Sequence, residues 1–480
     1  MKVIKKIKYS PLFNLMGLMA LTFCLASCDD YLNIKPKKQE IPSTLEDYIS
    51  FFNEEYMLYT AHIYPNMSIS MLLGEYYYAY INYYSETDLD YIVYYWTDGD
   101  RYAHQTYSSD FAYCYRGIAV ANQIIDGAKR AEDCDEADRQ SAIASARILR
   151  VMKLYHACQM YADAYNPDTA ADKLSIPLIL SSEADASYTQ PSLKDLYEFF
   201  ITELSQAVEC ESLPDKGATI LTPGKGAGYA MLARIYLTIW DYENALKAAE
   251  KALAINNALF DWTKYYADNY NDYFENWTYT KMLPSAMEYD FCENYYFGHG
   301  TMSSATWIHH MPTPAGEIFE PGDCFFKCNW ILEPWYGGTY YHATSSGFYN
   351  FGGLRSVEQY FIKAECQARL GDLSNACITL NSVREKLIDP EIYTPFNSNS
   401  IDETVMKIRD QKHSTLMGTV IPFADAKRFN SEGKYPVIPK KIINGEVRYL
   451  QPSDRLWIFP FAIDLMENQG NGTVTQNVDN

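Results

Sequence analysis

Two stretches of the chain set aromatic rings beside hydrogen-bonding side chains. Glu75 to Arg101 holds Tyr76-Tyr77-Tyr78, Tyr83-Tyr84 and Tyr94-Tyr95-Trp96-Thr97-Asp98-Gly99-Asp100-Arg101. The second runs through Asn276-Trp277-Thr278-Tyr279, Trp307 and Trp335-Tyr336-Gly337-Gly338-Thr339-Tyr340-Tyr341. A flat ring can stack on the C–H face of a polar ligand while Asp, Asn or Arg hydrogen-bonds its hydroxyls. Tyr76, Tyr95, Trp96, Arg101, Trp277, Tyr279, Trp307, Trp335 and Tyr336 are therefore the candidate ligand contacts. Tyrosine is abundant throughout, at 43 of 480 residues. The same rings serve core packing, which is the more frequent role for any single one. The expectation is that at least one of Trp96, Trp277, Trp307 and Trp335 stands exposed at a site.

Catalytic and metal chemistry find less support. No Gly-x-Ser-x-Gly elbow and no His-Glu-x-x-His motif occurs. Pro223-Gly224-Lys225-Gly226-Ala227-Gly228 lacks the Ser or Thr that a phosphate loop needs after its Gly-Lys. It reads as a flexible turn before a helix at Tyr229. His309-His310 would point to different sides of one element, so with His299 they read as surface-loop histidines. Cys324 and Cys328 lack the second pair that a zinc site requires. With 61 acids in the chain, no carboxylate pair can be singled out for glycoside cleavage. No catalytic residue, metal ligand or cofactor is assigned, and a loop-stiffening calcium ion is left open.

These segments need elements to hold them. Pro42-Ser43-Thr44-Leu45-Glu46-Asp47 reads as a capped helix start. Helical spacing marks Tyr107 to Glu132, Ala137 to Tyr165 and Leu193 to Glu211, with an extended run at Ile176-Pro177-Leu178-Ile179-Leu180. Gly228 to Ala245 and Gln359 to Ala376 repeat at an offset of 131 residues, matching Ala233 with Ala364, Asp241 with Asp372, Asn244 with Asn375 and Ala245 with Ala376. Each copy reads as helix, tight turn, helix, the tetratricopeptide outline. Two copies are too few for a free solenoid, so the earlier helices must supply further partners. Residues of about 256–353, rich in Tyr, Trp, Asn, Gly and Pro, show no sustained helical period and read as an elaboration carried on the frame.

The first residues carry a different signal. Lys2, Lys5, Lys6 and Lys8 precede an apolar run from Leu12 to Leu25, followed by Ala26-Ser27-Cys28-Asp29-Asp30. The run is about 14 residues, against the ~20 needed to span a bilayer. This reads as a cleaved lipoprotein signal (residues 1–27), with Cys28 lipidated, a tether over 28–42 and a single domain over 43–480. Removing four lysines takes the net charge of −21 to about −25. Such a body disfavours nucleic acid and anionic lipid surfaces. Of eleven cysteines, Cys24 leaves with the signal and Cys28 carries lipid. The remaining nine are an odd number, so at least one is a free thiol. Cys158, Cys366 and Cys377 read as small buried apolar residues.

Taken in order, these pieces resemble the SusD/RagB family of Bacteroidetes outer-membrane lipoproteins. The resemblance rests on Cys28-Asp29-Asp30-Tyr31-Leu32, Ala146-Arg147-Ile148-Leu149-Arg150, Ile176-Pro177-Leu178 and Ala230 to Leu237. It continues through Leu354 to Glu358, Asn381 to Arg384, Ile408 to Gln411, Asp425-Ala426-Lys427-Arg428-Phe429, Leu456 to Ile463 and Thr475-Gln476-Asn477. Arg409 to Leu416 departs from the family's usual Glu-Arg-Arg-x-Glu-Leu, and Ile458-Phe459-Pro460 from its Pro-Ile-Pro. The resemblance implies an all-α, tetratricopeptide-like scaffold with long irregular ligand loops and little β structure. It implies a lipid-anchored outer-membrane protein facing the cell exterior. Such a protein binds a nutrient, most often an oligosaccharide, and delivers it to a SusC-like TonB-dependent transporter without catalysis. A peptide ligand, or a surface glycan hydrolase, is the alternative. No binding residue carries over by motif.

Overall fold

The computed structural model describes residues 42–53, 67–76, 81–97, 105, 109–132, 134–275, 283–284, 287–298, 300–301, 310–335, 338–343, 345–346, 348–350 and 352–478. Cys28, the expected lipidation residue, lies outside them, as do the residues read as signal and most of those read as tether.

Helix α1 (Leu45–Ser50) starts where its cap chemistry places it. The Thr44 hydroxyl accepts from the Asp47 N–H at 3.2 Å, and the Asp47 carboxylate accepts from the Thr44 N–H at 2.9 Å. The short α2 (Met67–Leu73) and α3 (Leu89–Tyr95) follow. The frame proper is α4 (Ser109–Arg130), α5 (Glu136–Tyr161) and α6 (Leu193–Glu209), then the two repeat hairpins. The first hairpin is α7 (Lys225–Thr238) with α8 (Tyr242–Ile255). After α9 (Trp262–Glu275) and α10 (Cys324–Asn329), the second pairs α11 (Ser356–Arg369) with α12 (Leu373–Leu387). The chain closes with α13 (Ile401–Thr415), α14 (Ile421–Glu432) and α15 (Ile463–Glu467).

The helices stack in series, α4 on α5, α5 on α6, α6 on α7, and α8 directly on α11 across the intervening hundred residues. The hairpins are superposable in chemistry. Asp241 and Asp372 cap their second helices by accepting from Asn244 and Asn375 N–H, and each Asn amide donates back to its Asp, at 2.7 and 2.8 Å. The matched alanines Ala233, Ala245, Ala364 and Ala376 are all fully buried, which lets the backbones approach closely. The early helices thus complete the stack, as the repeat count requires.

Buried ion pairs lace the stack. Arg234 on α7 holds Glu358 on α11 through two bonds of 2.8 and 2.7 Å. Glu365 accepts from Arg428 at 2.7 and 2.9 Å and from Arg369 at 2.7 Å, and Arg369 also pairs with Glu432. Two guanidinium groups beside Glu365 hold its carboxyl down at about 2 despite full burial. The motif residue Arg428 is therefore structural, joining α14 to α11. At the C terminus the Asn477 amide donates to Phe459 O at 2.8 Å and to Tyr161 O, tying the terminal segment to the end of α5.

Three sequence readings need correction. Residues of about 256–353 are not irregular throughout. Trp262, Tyr265, Tyr266 and Asn269 fall on one face of α9, an amphipathic stripe built from rings rather than aliphatics, and Trp262 is buried. The stretch also holds β1 (Leu283–Pro284), β2 (Asn294–Tyr296), β3 (Gly300–Thr301), β4 (His310–Pro312), β5 (Trp330–Trp335), β6 (Gly338–Ala343), β7 (Ser345–Ser346), β8 (Phe348–Tyr349) and β9 (Leu354–Arg355). These form small pairs and one antiparallel three-stranded sheet ordered β4-β6-β5. The glycines of 223–228 are not a flexible turn. Helix α7 already begins at Lys225, and a Cβ on Gly228 would stand 2.5 Å from Val208. His310 is not a surface-loop residue. It is fully buried on β4, its ring 4.1 Å from that of His342 across the sheet.

Candidate functional site

Beyond the last helices, β10 (Lys440–Ile443) and β11 (Glu446–Tyr449) form a hairpin closed by Asn444-Gly445, both with positive φ as a tight two-residue hairpin turn needs. That hairpin builds the site. At the end of α2 the chain turns through Gly74 at φ +81°, where a Cβ would press on the Lys440 carbonyl at 3.2 Å and the Lys441 side chain at 3.1 Å. The strand thus lies directly against the turn. Lys441 runs beneath it and donates to the Val93 and Tyr94 carbonyls at 3.0 and 2.8 Å. These are orphan acceptors at the negative end of α3, so the lysine caps the helix. Burial pushes its ammonium well below the ordinary lysine range.

Trp96 ends α3 in the left-handed region (φ 52°, ψ 46°), and its indole N–H donates to Leu72 O at 2.9 Å. The Lys441 ammonium sits 4.4 Å from its ring centre. The ends of α2 and α3 and the C-terminal hairpin are thereby pinned together.

Above this clamp lies a cavity of about 280 Å³. Tyr76 and Tyr94 line it from one side, Tyr340 and Thr339 of β6 from another, Pro312, Thr313 and Pro314 from a third, and Lys440 to Ile443 from the hairpin. In register, Pro312 pairs with Tyr340 across the sheet. Lys440 is balanced by Glu317 at 3.5 Å, and among the described residues the lining includes no carboxylate. Rings, prolines and threonines around a small space can hold a hydroxylated ring by its C–H face and its edges. The volume, near the ~300 Å³ lower end of ligand pockets, admits about one such ring.

The two aromatic stretches singled out in the sequence do converge here, through Tyr76 and Tyr94 of the first and Thr339 and Tyr340 of the second. The individual candidates fare differently. Tyr76 is almost wholly buried in the cavity wall. Tyr95 is beside the site but engaged elsewhere, donating to Asn82 Oδ1 at 2.9 Å and packed 4.5 Å from Tyr91. Trp96 is half-buried and serves the clamp. Trp335 stands on β5 opposite Gly338, one residue from Thr339. Arg101, Trp277, Tyr279, Trp307 and Tyr336 lie outside the described residues. Sequence reading passed over Pro312, Thr313, Lys440 and Lys441. The Asn-Gly pair between alternating residues was the available signal for the hairpin.

Among the described residues no group of three or more His, Cys, Asp or Glu side chains is placed to hold a metal ion, and no helix is long and apolar enough to cross a membrane.

Comparison with known proteins follows the same geometry. A family model, SusD-like, described as starch-binding and associating with the outer membrane, matches residues 30–237. The SusD-like protein P2 of Formosa agariphila is 35% identical over 149 residues, 31% of this chain; the match spans 27% of that relative's length. Among solved structures, a putative sugar-binding protein of Bacteroides vulgatus superposes with a TM-score of 0.68 at 17% identity, covering 92% of this chain and 99% of that one. The surface glycan-binding protein A of Bacteroides uniformis gives 0.63 at 14% identity, covering 90% and 98%. The chain thus has the fold of these solved structures, and over residues 30–237 its sequence is similar to the SusD-like family, described as starch-binding and associating with the outer membrane.

Proposed function

We propose that this protein binds a glycan in the cavity between Tyr76, Tyr94 and Tyr340. It hands the glycan to a SusC-like TonB-dependent transporter while anchored to the outer membrane through lipid on Cys28, facing the cell exterior. The observation that carries the reading is the convergence of two aromatic stretches, some 250 residues apart in sequence, on one small cavity walled by rings, prolines and threonines. The names of similar proteins, a sugar-binding protein and a surface glycan-binding protein, favour the same ligand class. The role is binding without turnover. Stacking at ~0.5–1.5 kcal/mol per ring with a few hydrogen bonds gives affinities of about 10⁻³ to 10⁻⁶ M, weak enough for release.

The test is an oligosaccharide array with a peptide pool alongside, followed by calorimetry on the best ligand. Tyr340→Ala should weaken glycan binding about tenfold and leave the melting temperature nearly unchanged. Capture of peptides alone would replace the sugar by a peptide ligand, and new reducing ends on incubation with polysaccharide would replace binding by hydrolysis.

A further inference from the structure

A second cavity, of about 330 Å³, opens where the end of α5, helix α14 and residues 452–458 meet. Its lining includes Lys173, Lys427 and Arg455 against Asp163 and Asp454, a local cationic excess in a chain of net charge −21. The two carboxylates are already engaged. Asp163 lies 3.3 Å from Lys173, and Asp454 accepts from the Gln451 N–H at 2.7 Å.

Lys427 and Asn430, one turn apart on α14, are less complete. Lys427 is 3% exposed, and among the described residues its ammonium donates to the Gln159 and Ala162 carbonyls alone, at 2.7 and 2.6 Å. Among the described residues no carboxylate forms an ion pair with it. Burial brings it down to about 8, and Asp163 offsets this only through space, without an ion pair. Asn430 accepts from the Val437 N–H at 2.8 Å, which fixes its amide orientation and leaves Nδ2 buried with no partner. A buried donor left unmade costs ~1–3 kcal/mol, so an acceptor that reached both groups would be well held. Trp457 closes the lining, stacked on Phe423 with its N–H on Gln451 O.

We propose that this cavity is a second binding site, for a small hydroxylated carboxylate of uronate type, with Lys427 and Asn430 taking the carboxylate and Asn166 and Ser453 lying beside its hydroxyls. A carboxylate supplies a negative charge in direct contact and accepts two hydrogen bonds at once, the charge-assisted kind. A neutral sugar supplies neither. The site is separate from the Tyr340 cavity and stands whether or not that cavity binds glycan.

Glucuronate, glucose and acetate are titrated against the mature chain by calorimetry. Glucuronate should bind in the millimolar range, with glucose and acetate each weaker by about tenfold or more. Asn430→Asp keeps the acceptor for Val437 and replaces the free donor by a negative oxygen. It should cut glucuronate affinity at least about tenfold while the melting temperature holds. Tyr340→Ala should leave glucuronate affinity untouched. The assignment is overturned by undetectable glucuronate binding, by glucose or acetate binding as well, by an Asn430→Asp protein that binds normally, or by loss of glucuronate binding in Tyr340→Ala.

Discussion

Single residues in this protein hold apparently conflicting positions because a neighbour compensates. Trp96 is a bulky residue at positive φ, which costs ~1–2 kcal/mol. The indole bond to Leu72 O and the Lys441 ammonium over its ring hold it there. If Trp96 is a clamp rather than a ligand contact, Trp96→Phe should lose about 1 kcal/mol of stability in chemical denaturation. Glycan affinity should stay within about twofold of wild type. Asp323 is a second such case. It caps α10 by accepting from the Phe326 N–H at 2.9 Å, yet is 2% exposed, and desolvation raises it to about 7. The folded state keeps a proton that the unfolded chain has released, from the ordinary aspartate value up to about pH 7. Its contribution to stability therefore falls as pH rises through that window. Asparagine caps equally well without the charge. Asp323→Asn should be more stable than wild type by about 2 kcal/mol at pH 8 and little different at pH 4, as urea unfolding at the two values would show.

At the scale of elements, the two hairpins show what a repeat constrains. Offset by 131 residues, Trp240 (φ 68°) and Gly371 (φ 90°) occupy the same turn position, so the left-handed backbone belongs to the turn and not to the residue type. Gly371 has open space around it, whereas Gly228 faces Val208 at 2.5 Å. Gly371→Ala should therefore cost only the ~1 kcal/mol of conformational strain. Gly228→Ala should cost more, because α7 must move off α6, and parallel thermal melts would rank them. The repeat, the caps and the buried alanines were legible because each is a local pattern that recurs. Helix α9 was hidden because its buried face is made of Trp and Tyr, residues equally at home in loops. Convergence of the aromatic stretches was foreshadowed by composition. Lys441 was not, because its role depends on a hairpin some 350 residues downstream reaching the end of α3, a contact that no local pattern encodes.

For the molecule as a whole, the notable fact is stabilisation without cross-links. All nine cysteines of the described body, from Cys114 to Cys377, are free thiols. Small exported domains commonly use disulfides because their cores are thin. A body of this length buries a large enough fraction of its surface to fold without them. Its core runs continuously from Phe52 to Val478. Burial also protects the thiols. Desolvation pushes Cys114 and Cys158 up to about 12 and Cys324 to about 11, so the reactive thiolate is scarce at neutral pH. Cys292 is the exposed one. In the native mature protein a thiol reagent should thus label Cys292 quickly and Cys114, Cys158, Cys324, Cys328, Cys366 and Cys377 only on unfolding, and a reducing agent should leave the melting temperature unchanged. Mass spectrometry of peptides after a brief pulse of alkylation checks the order. Rapid labelling of Cys158 or Cys366 in the folded protein would mean that the helical stack opens locally at α5 or α11, against the continuous core on which the positioning of both cavities depends.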